Sequence, residues 1–148
     1  MILSNSKRFF FVCFLISSIS VNAQYYTGQK VFVNKFPTEI SDNTQDTYIQ
    51  INNSDGDIIV AVEQFSSGRV IRHAYIKSND SYKFKNIPVG SFICKYMWTD
   101  RYGNKHFNKD DESMQFNTNE VGGYIIKMEK SVGGNLTQSG ISEADFFN

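Results

Sequence analysis

Beyond residue 46 the apolar residues recur at every second position or in short unbroken runs, and clusters of Asn, Asp, Ser and Gly separate each run from the next. A period of two is that of a strand with one face dry and one face wet. The pattern is clearest over Ser81–Trp98. Tyr82 and Phe84 alternate with Lys83 and Lys85, and after Gly90 the residues Phe92, Cys94, Tyr96 and Trp98 share a face opposite Ile93, Lys95 and Met97. Two strands joined at Pro88-Val89-Gly90 are expected there.

The same reading places further strands around this pair. Lys30–Phe36 alternates weakly and is expected to be a first strand stopped by Pro37, which cannot donate to a ladder. Tyr48–Asn52 sets Ile49 and Ile51 on one face, and Asn53-Ser54-Asp55-Gly56 reads as a hairpin turn into Asp57–Phe65. The run Ile58–Val62 barely alternates, as expected of a central strand covered on both sides. In Arg69–Lys77, Val70, Ala74 and Ile76 share a face with Arg72, opposite Ile71, His73 and Tyr75, so the buried face is ambiguous.

Tyr102-Gly103-Asn104 reads as a turn, His106-Phe107 as the start of a short strand and Asn108–Glu112 as a solvated loop. Met114 with Phe116 and then Gly122–Lys130 complete the strands. The polar Ser131–Asn148 is expected to be a flexible tail, unless Phe146-Phe147 docks into a groove or the tail adds a strand. Short strands between regular turn signals make an all-β protein, an antiparallel β-sandwich of about seven to eight strands spanning residues 24–130.

The first 23 residues change the setting. Lys7 and Arg8 precede the apolar Phe9–Ile19, and Val21-Asn22-Ala23 offers a small-residue cleavage site. This is the layout of a signal peptide, with an apolar run too short to span a bilayer. The chain is expected to be exported, periplasmic or secreted, with no transmembrane segment after cleavage. Lys and Arg number 15 against 15 Asp and Glu, and loss of Lys7 and Arg8 tips the balance to acidic. That leaves no basic excess to neutralise phosphates, so nucleic acid is excluded as a partner. Cys13 departs with the leader, so Cys94 has no intrachain partner and reads as a small buried hydrophobe.

Candidate chemistry is sparse. Asn53-Ser54-Asp55-Gly56-Asp57 resembles a calcium loop at first sight, but with Gly56 at position 6 the first ligand position falls on Ile51. His73 and His106 lack a Gly-x-Ser-x-Gly elbow or any spacing that singles out a nucleophile. His106 with Asp110, Asp111 and Glu112 could be imagined around a cation, yet consecutive acids in a loop read better as solvated charge. No metal, catalytic residue or cofactor is expected. The remaining candidate is a ligand-binding rim of Trp98, Asp100, Arg101 and Tyr102, where the indole would stack on a sugar and the charged pair would bond its hydroxyls. The plainer reading of Trp98 is that it closes one end of the core.

Phe84, Asn86, Ile87, Pro88, Gly90 and Phe92 match a Phe-x-Asn-Ile-Pro-x-Gly-x-Phe unit. In this the chain resembles prealbumin-like β-sandwiches, including the carboxypeptidase regulatory-like domains of exported bacterial proteins, over roughly residues 47–98. The resemblance implies a structural, interaction or glycan-associated module. One branch of that wider family hydrolyses a urate-pathway intermediate and ends in Tyr-Arg-Gly-Ser. This chain ends Asp-Phe-Phe-Asn, so the activity does not carry over. The function expected is a non-enzymatic module that binds a protein or glycan partner. The alternatives are a small hydrolase using His73 or His106, and a structural subunit docking through its C-terminal tail.

Overall fold

The computed structural model describes residues 24–36, 38–129 and 138–148. The signal peptide, the stop at Pro37 and the beginning of the expected tail lie outside the described residues. Among those described, nine strands and one short helix are formed: β1 Asp46–Asn53, β2 Ile58–Gln64, β3 Arg69–Ile76, β4 Asp80–Lys85, β5 Gly90–Thr99, β6 Lys105–Asp110, β7 Met114–Phe116, β8 Val121–Met128, β9 Gln138–Gly140 and α1 Glu143–Phe147. They make two sheets. The small one runs β4-β1-β8, and the large one β3-β2-β5-β6-β9 with β7 also on β5. Pairing is antiparallel except between β1 and β8, which run parallel, a departure from the all-antiparallel expectation.

Alternation decides what lies between the sheets. Ile49 and Ile51 of β1, Phe84 of β4 and Ile126 of β8 meet Val60, Val62, Phe92, Cys94, Tyr96 and Phe116 of the large sheet in one core. Lys83 and Lys85 point away from it, and Lys83 lies over the Tyr48 ring at 4.1 Å. β2 is buried along nearly its whole length, because β3 and β5 flank it and both its faces are covered.

The second cover comes from the chain ends. Phe36 and Phe146 close over Ile59, Ala61, Val70 and Met97, the outer face of the large sheet. Lys30–Phe36 is therefore not a strand. It coils into turns, with the Lys35 and Phe36 amides donating to the Phe32 carbonyl. Coiling brings the Phe32 and Phe36 rings into contact, centroids 6.4 Å apart, where an extended segment would hold residues four apart at about 13 Å. The expected tail also differs where it is described: β9 pairs with β6, and α1 docks with Phe146 fully buried. Ser142 and Asp145 cap α1 reciprocally, the hydroxyl accepting the Asp145 amide at 3.0 Å.

Three tight connections carry the chain between sheets, Ser54–Asp57, Lys77–Asn79 and Asn86–Val89, and the first of them is one that reads locally as a hairpin turn. At the last of these Asn86 takes a left-handed conformation, φ 58°, and its amide donates to the Thr47 carbonyl at 2.8 Å. Asn tolerates that conformation better than other residues with a side chain. The Thr47 hydroxyl donates to the Ile87 carbonyl at 2.6 Å, and Ile87 plugs the core. Among the described residues only β2–β3 and β5–β6 are tight hairpins. The ambiguity of β3 is resolved by a bulge: Glu63 pairs with Val70 and Val62 with Arg72, leaving Ile71 extra. That residue resets the period, so Val70 faces the outer cluster and Ile71 the inner core.

Candidate functional site

Trp98, next to last in β5, lies opposite Ile58, at the edge where the β1–β2 connection and the β5–β6 hairpin meet. Between these loops opens a cleft of about 690 Å³. Trp98, Asp100, Arg101 and Tyr102 all line it, together with Ile58, Met128, Asp55, Asp57 and Glu129. The volume is in the range of small-molecule sites.

Each wall is fixed by local hydrogen bonding. Asn53 is buried, and its side-chain amide donates to the carbonyls of Gly56 at 2.8 Å and Lys77 at 3.0 Å. The Ser54 amide and hydroxyl donate to the Met128 carbonyl at 3.0 and 2.9 Å, tying the end of β8 to the same turn. Asp57 accepts from the Tyr75 hydroxyl and from the Ser78 amide.

On the opposite wall Asp100 anchors the hairpin loop. One oxygen accepts the amides of Tyr102 at 2.8 Å and Asn104 at 2.9 Å. The other meets the Asn104 side chain and His106 Nε2, each at 3.0 Å. Facing an oxygen that can only accept, Nε2 carries the hydrogen. The His106 contact, followed by those of Asn104, holds the Asp100 carboxyl well below its ordinary range. Its lone pairs are thus engaged in building the loop.

The His106 ring in turn stacks on Trp98, centroids 5.3 Å apart and 16° from parallel. Trp98 is half-buried against the core and also lines the cleft. Arg101 folds over the Tyr102 ring at 4.7 Å and donates to its hydroxyl at 2.5 Å. Tyr102 is 73% exposed. The cleft therefore has an apolar and aromatic floor, acidic groups on the β1–β2 side and a guanidinium on the other.

The other sequence candidates lie apart. Asn108–Asp110 is not loop but the end of β6, and Asp110 is buried. It accepts the Tyr96 hydroxyl at 2.9 and 3.0 Å and the Cys94 amide at 3.2 Å. Asp111 accepts from Ser139. With His106 on Asp100, the four residues imagined around a cation do not converge, and among the described residues no three His, Cys, Asp or Glu side chains do. Burial, then Asp110, raises the Cys94 thiol far above its ordinary value, so no thiolate forms there. His73 is buried in the outer layer, away from the cleft.

Asp110 makes a prediction about pH. Burial pushes its carboxyl up to about 6, against the hydrogen bonds from Tyr96 and Cys94. Between that value and its free value of 3.8 the folded chain holds the proton that the unfolded chain releases. This group therefore makes the fold more stable as pH drops from about 6 to about 4. Asp110→Asn should remove that gain, read as the change in urea midpoint across the window. An unchanged profile would contradict it.

Asp55, Asp57, Met128, Glu129 and Gln138 are cleft residues that the sequence does not single out. Asp55 and Asp57 lie in a segment that reads as a turn, and nothing local ties Met128 or Gln138 to Trp98. No family model, curated protein or solved structure matches the chain. Among the described residues no helix is long and apolar enough to cross a membrane.

Proposed function

We propose that the protein is an exported, non-enzymatic binding module of prealbumin-like type, which holds a glycan of the cell envelope in the cleft beside Trp98. One observation carries this reading: an indole braced by His106 lies in an open cleft beside an exposed Tyr102 and Arg101. Aromatic faces with a few placed polar groups suit sugars, whose C–H faces are apolar and whose edges are hydroxyls. The acidic majority around the cleft disfavours phosphate-rich ligands. The corner at Asn86–Gly90, which moves the chain from one sheet to the other, supports the prealbumin-like assignment.

The test is binding to a glycan array and to envelope extracts. Tyr102→Ala and Arg101→Ala should each weaken capture about tenfold. Both side chains are exposed, so melting temperature should stay within about 1 °C. If neither array nor extract binds the unaltered protein, or if both variants bind as well as it does, the reading fails.

A hydrolase is the second reading, favoured by the 3.0 Å His106–Asp100 contact. A base also needs a nucleophile. Among the described residues neither histidine is bonded to a Ser, Thr or Cys side chain. The tail's Phe146 is buried within its own chain, which weighs against docking through that residue into a neighbour.

A further inference from the structure

The proposed glycan cleft makes no use of His73, yet its surroundings are specific. The ring is 1% exposed, mid-strand in β3, and packs on Phe36 with centroids 5.2 Å apart and on Phe32 at 6.5 Å. Its Nε2 accepts the backbone amide of Phe32 at 3.1 Å, so that nitrogen carries no hydrogen. Nδ1 is buried without a partner. The carbonyl of the same residue accepts Lys30 Nζ at 2.6 Å, and Lys30 is paired with Glu39 at 2.8 Å. One strand residue thus grips the coiled segment from two sides, and one grip needs a neutral imidazole.

We infer that Lys30–Phe36 is an acid-released strap, held over the outer face of the large sheet by neutral His73 and detached when that ring takes a proton. A proton on Nε2 turns the acceptor for the Phe32 amide into a second donor facing it, and places a buried cation beside Lys30. The charges on the elements packed around the ring are Lys30 and Lys35 of the strap, Glu39 outside it, Arg72 of β3, Glu63 of β2 with its partner Lys95 of β5, and Asp145 of α1. Of these, Lys30 opposes protonation and Glu39 favours it. Burial first, then Lys30, lowers the ring to about 4 from 6.5.

The sign follows. Above about 6.5 neither folded nor unfolded chain is protonated there, and the neutral ring's contribution is complete. As pH falls toward 4 the unfolded or detached chain binds the proton first, and the contribution is lost. Asp110 titrates in the opposite sense over nearly the same interval, inside the sandwich. Acid therefore loosens the outer layer while the inner core gains. The response is local opening, which leaves Ile59, Ala61, Val70 and Phe146 without the cover of Phe36.

Hydrogen exchange of the protein, corrected for the intrinsic pH dependence of amide exchange, tests this at about pH 7 and about pH 4.5. Protection of amides 30–36 should fall at least about tenfold at the lower pH, with β1 and β5 unchanged or better protected. His73→Gln, which keeps a neutral acceptor, should flatten the response. If that variant does not fold, the unaltered protein still decides: opening must follow a one-proton titration between about 6.5 and about 4. Strap protection that does not depend on pH overturns the inference. So does a loss of protection shared equally by the strap and both sheets.

Discussion

Gly123→Ala should lower the unfolding free energy by about 4 kcal/mol or more, the range reached when backbone packing is forced apart. Gly123 lies directly opposite Tyr48 in the parallel β1–β8 pair. A Cβ there would stand 1.8 Å from the Tyr48 carbonyl oxygen and 2.7 Å from its carbon. Those atoms belong to the central strand of a three-stranded sheet, so no side chain can turn aside and β8 itself must move. With it would go Ile126, buried in the core, and the Met128 carbonyl that holds the β1–β2 connection. Gly122→Ala is the control. Its neighbourhood is open, but its φ of 110° is one that other residues avoid, so a cost of about 1 kcal/mol is expected. Urea midpoints of the two variants compare them directly. Equal, small losses would show that β8 tolerates displacement and that the close approach does not matter.

Lys95→Ala should cost about 3–5 kcal/mol, the penalty for removing one partner of a buried ion pair. Lys95 lies on the outer face of β5 with its side chain 6% exposed, and pairs with Glu63, whose side chain is 11% exposed. Its ammonium also donates to the carbonyls of Asp145 at 2.6 Å and Asn148 at 3.2 Å. Truncation leaves the Glu63 carboxylate buried without its cation and removes the donor that ends α1. Exchange protection of residues 143–147 should therefore fall together with melting temperature. Adding Glu63→Gln to Lys95→Ala should recover much of the global loss by removing the stranded charge, while α1 stays loose. A double variant no better than the single one would locate the cost in the helix contact instead of the ion pair.

Both effects depend on neighbours that the local sequence does not show. Lys95 reads as the wet position of an alternating strand, and only the arrival of α1 covers it. The helix itself has a local signal, Ser142-Glu143-Ala144-Asp145, a capping-box spacing that the polar tail obscures. Asp110 looks like one of three solvated acids, because a carboxylate's environment is set by whichever hydroxyl meets it. Here that hydroxyl is Tyr96, on the strand across the hairpin. The cleft is half legible. Trp98, Asp100, Arg101 and Tyr102 fall within five consecutive positions, and their mix of aromatic and charged groups stands out. The facing wall comes from residues some 40 positions earlier and 30 later, with no local feature to join them.

The sequence by itself determined most of the strands between Tyr48 and Met128 and, along several of them, which face is dry; it did not show the coil at Lys30–Phe36, the far end of β6 or β9. Period-two alternation is a property of the single strand and survives any pairing. It also marked the tight connection at Pro88–Gly90, since a fixed Pro and a permissive Gly are local conformational facts, while the left-handed Asn86 came from the structure. Tertiary structure alone decided the partners. Backbone ladder groups are the same at every residue, and a four-residue connection can close a hairpin or cross to a second sheet. The choice falls to the core that each arrangement buries, so Asn53–Asp57 crosses where its residues alone suggested a hairpin. Tertiary structure also chose the bulge at Ile71, the parallel seat of β8 at Gly123, and the outer layer that buries His73 and Lys95. Each of these is settled by contacts between segments far apart in the chain.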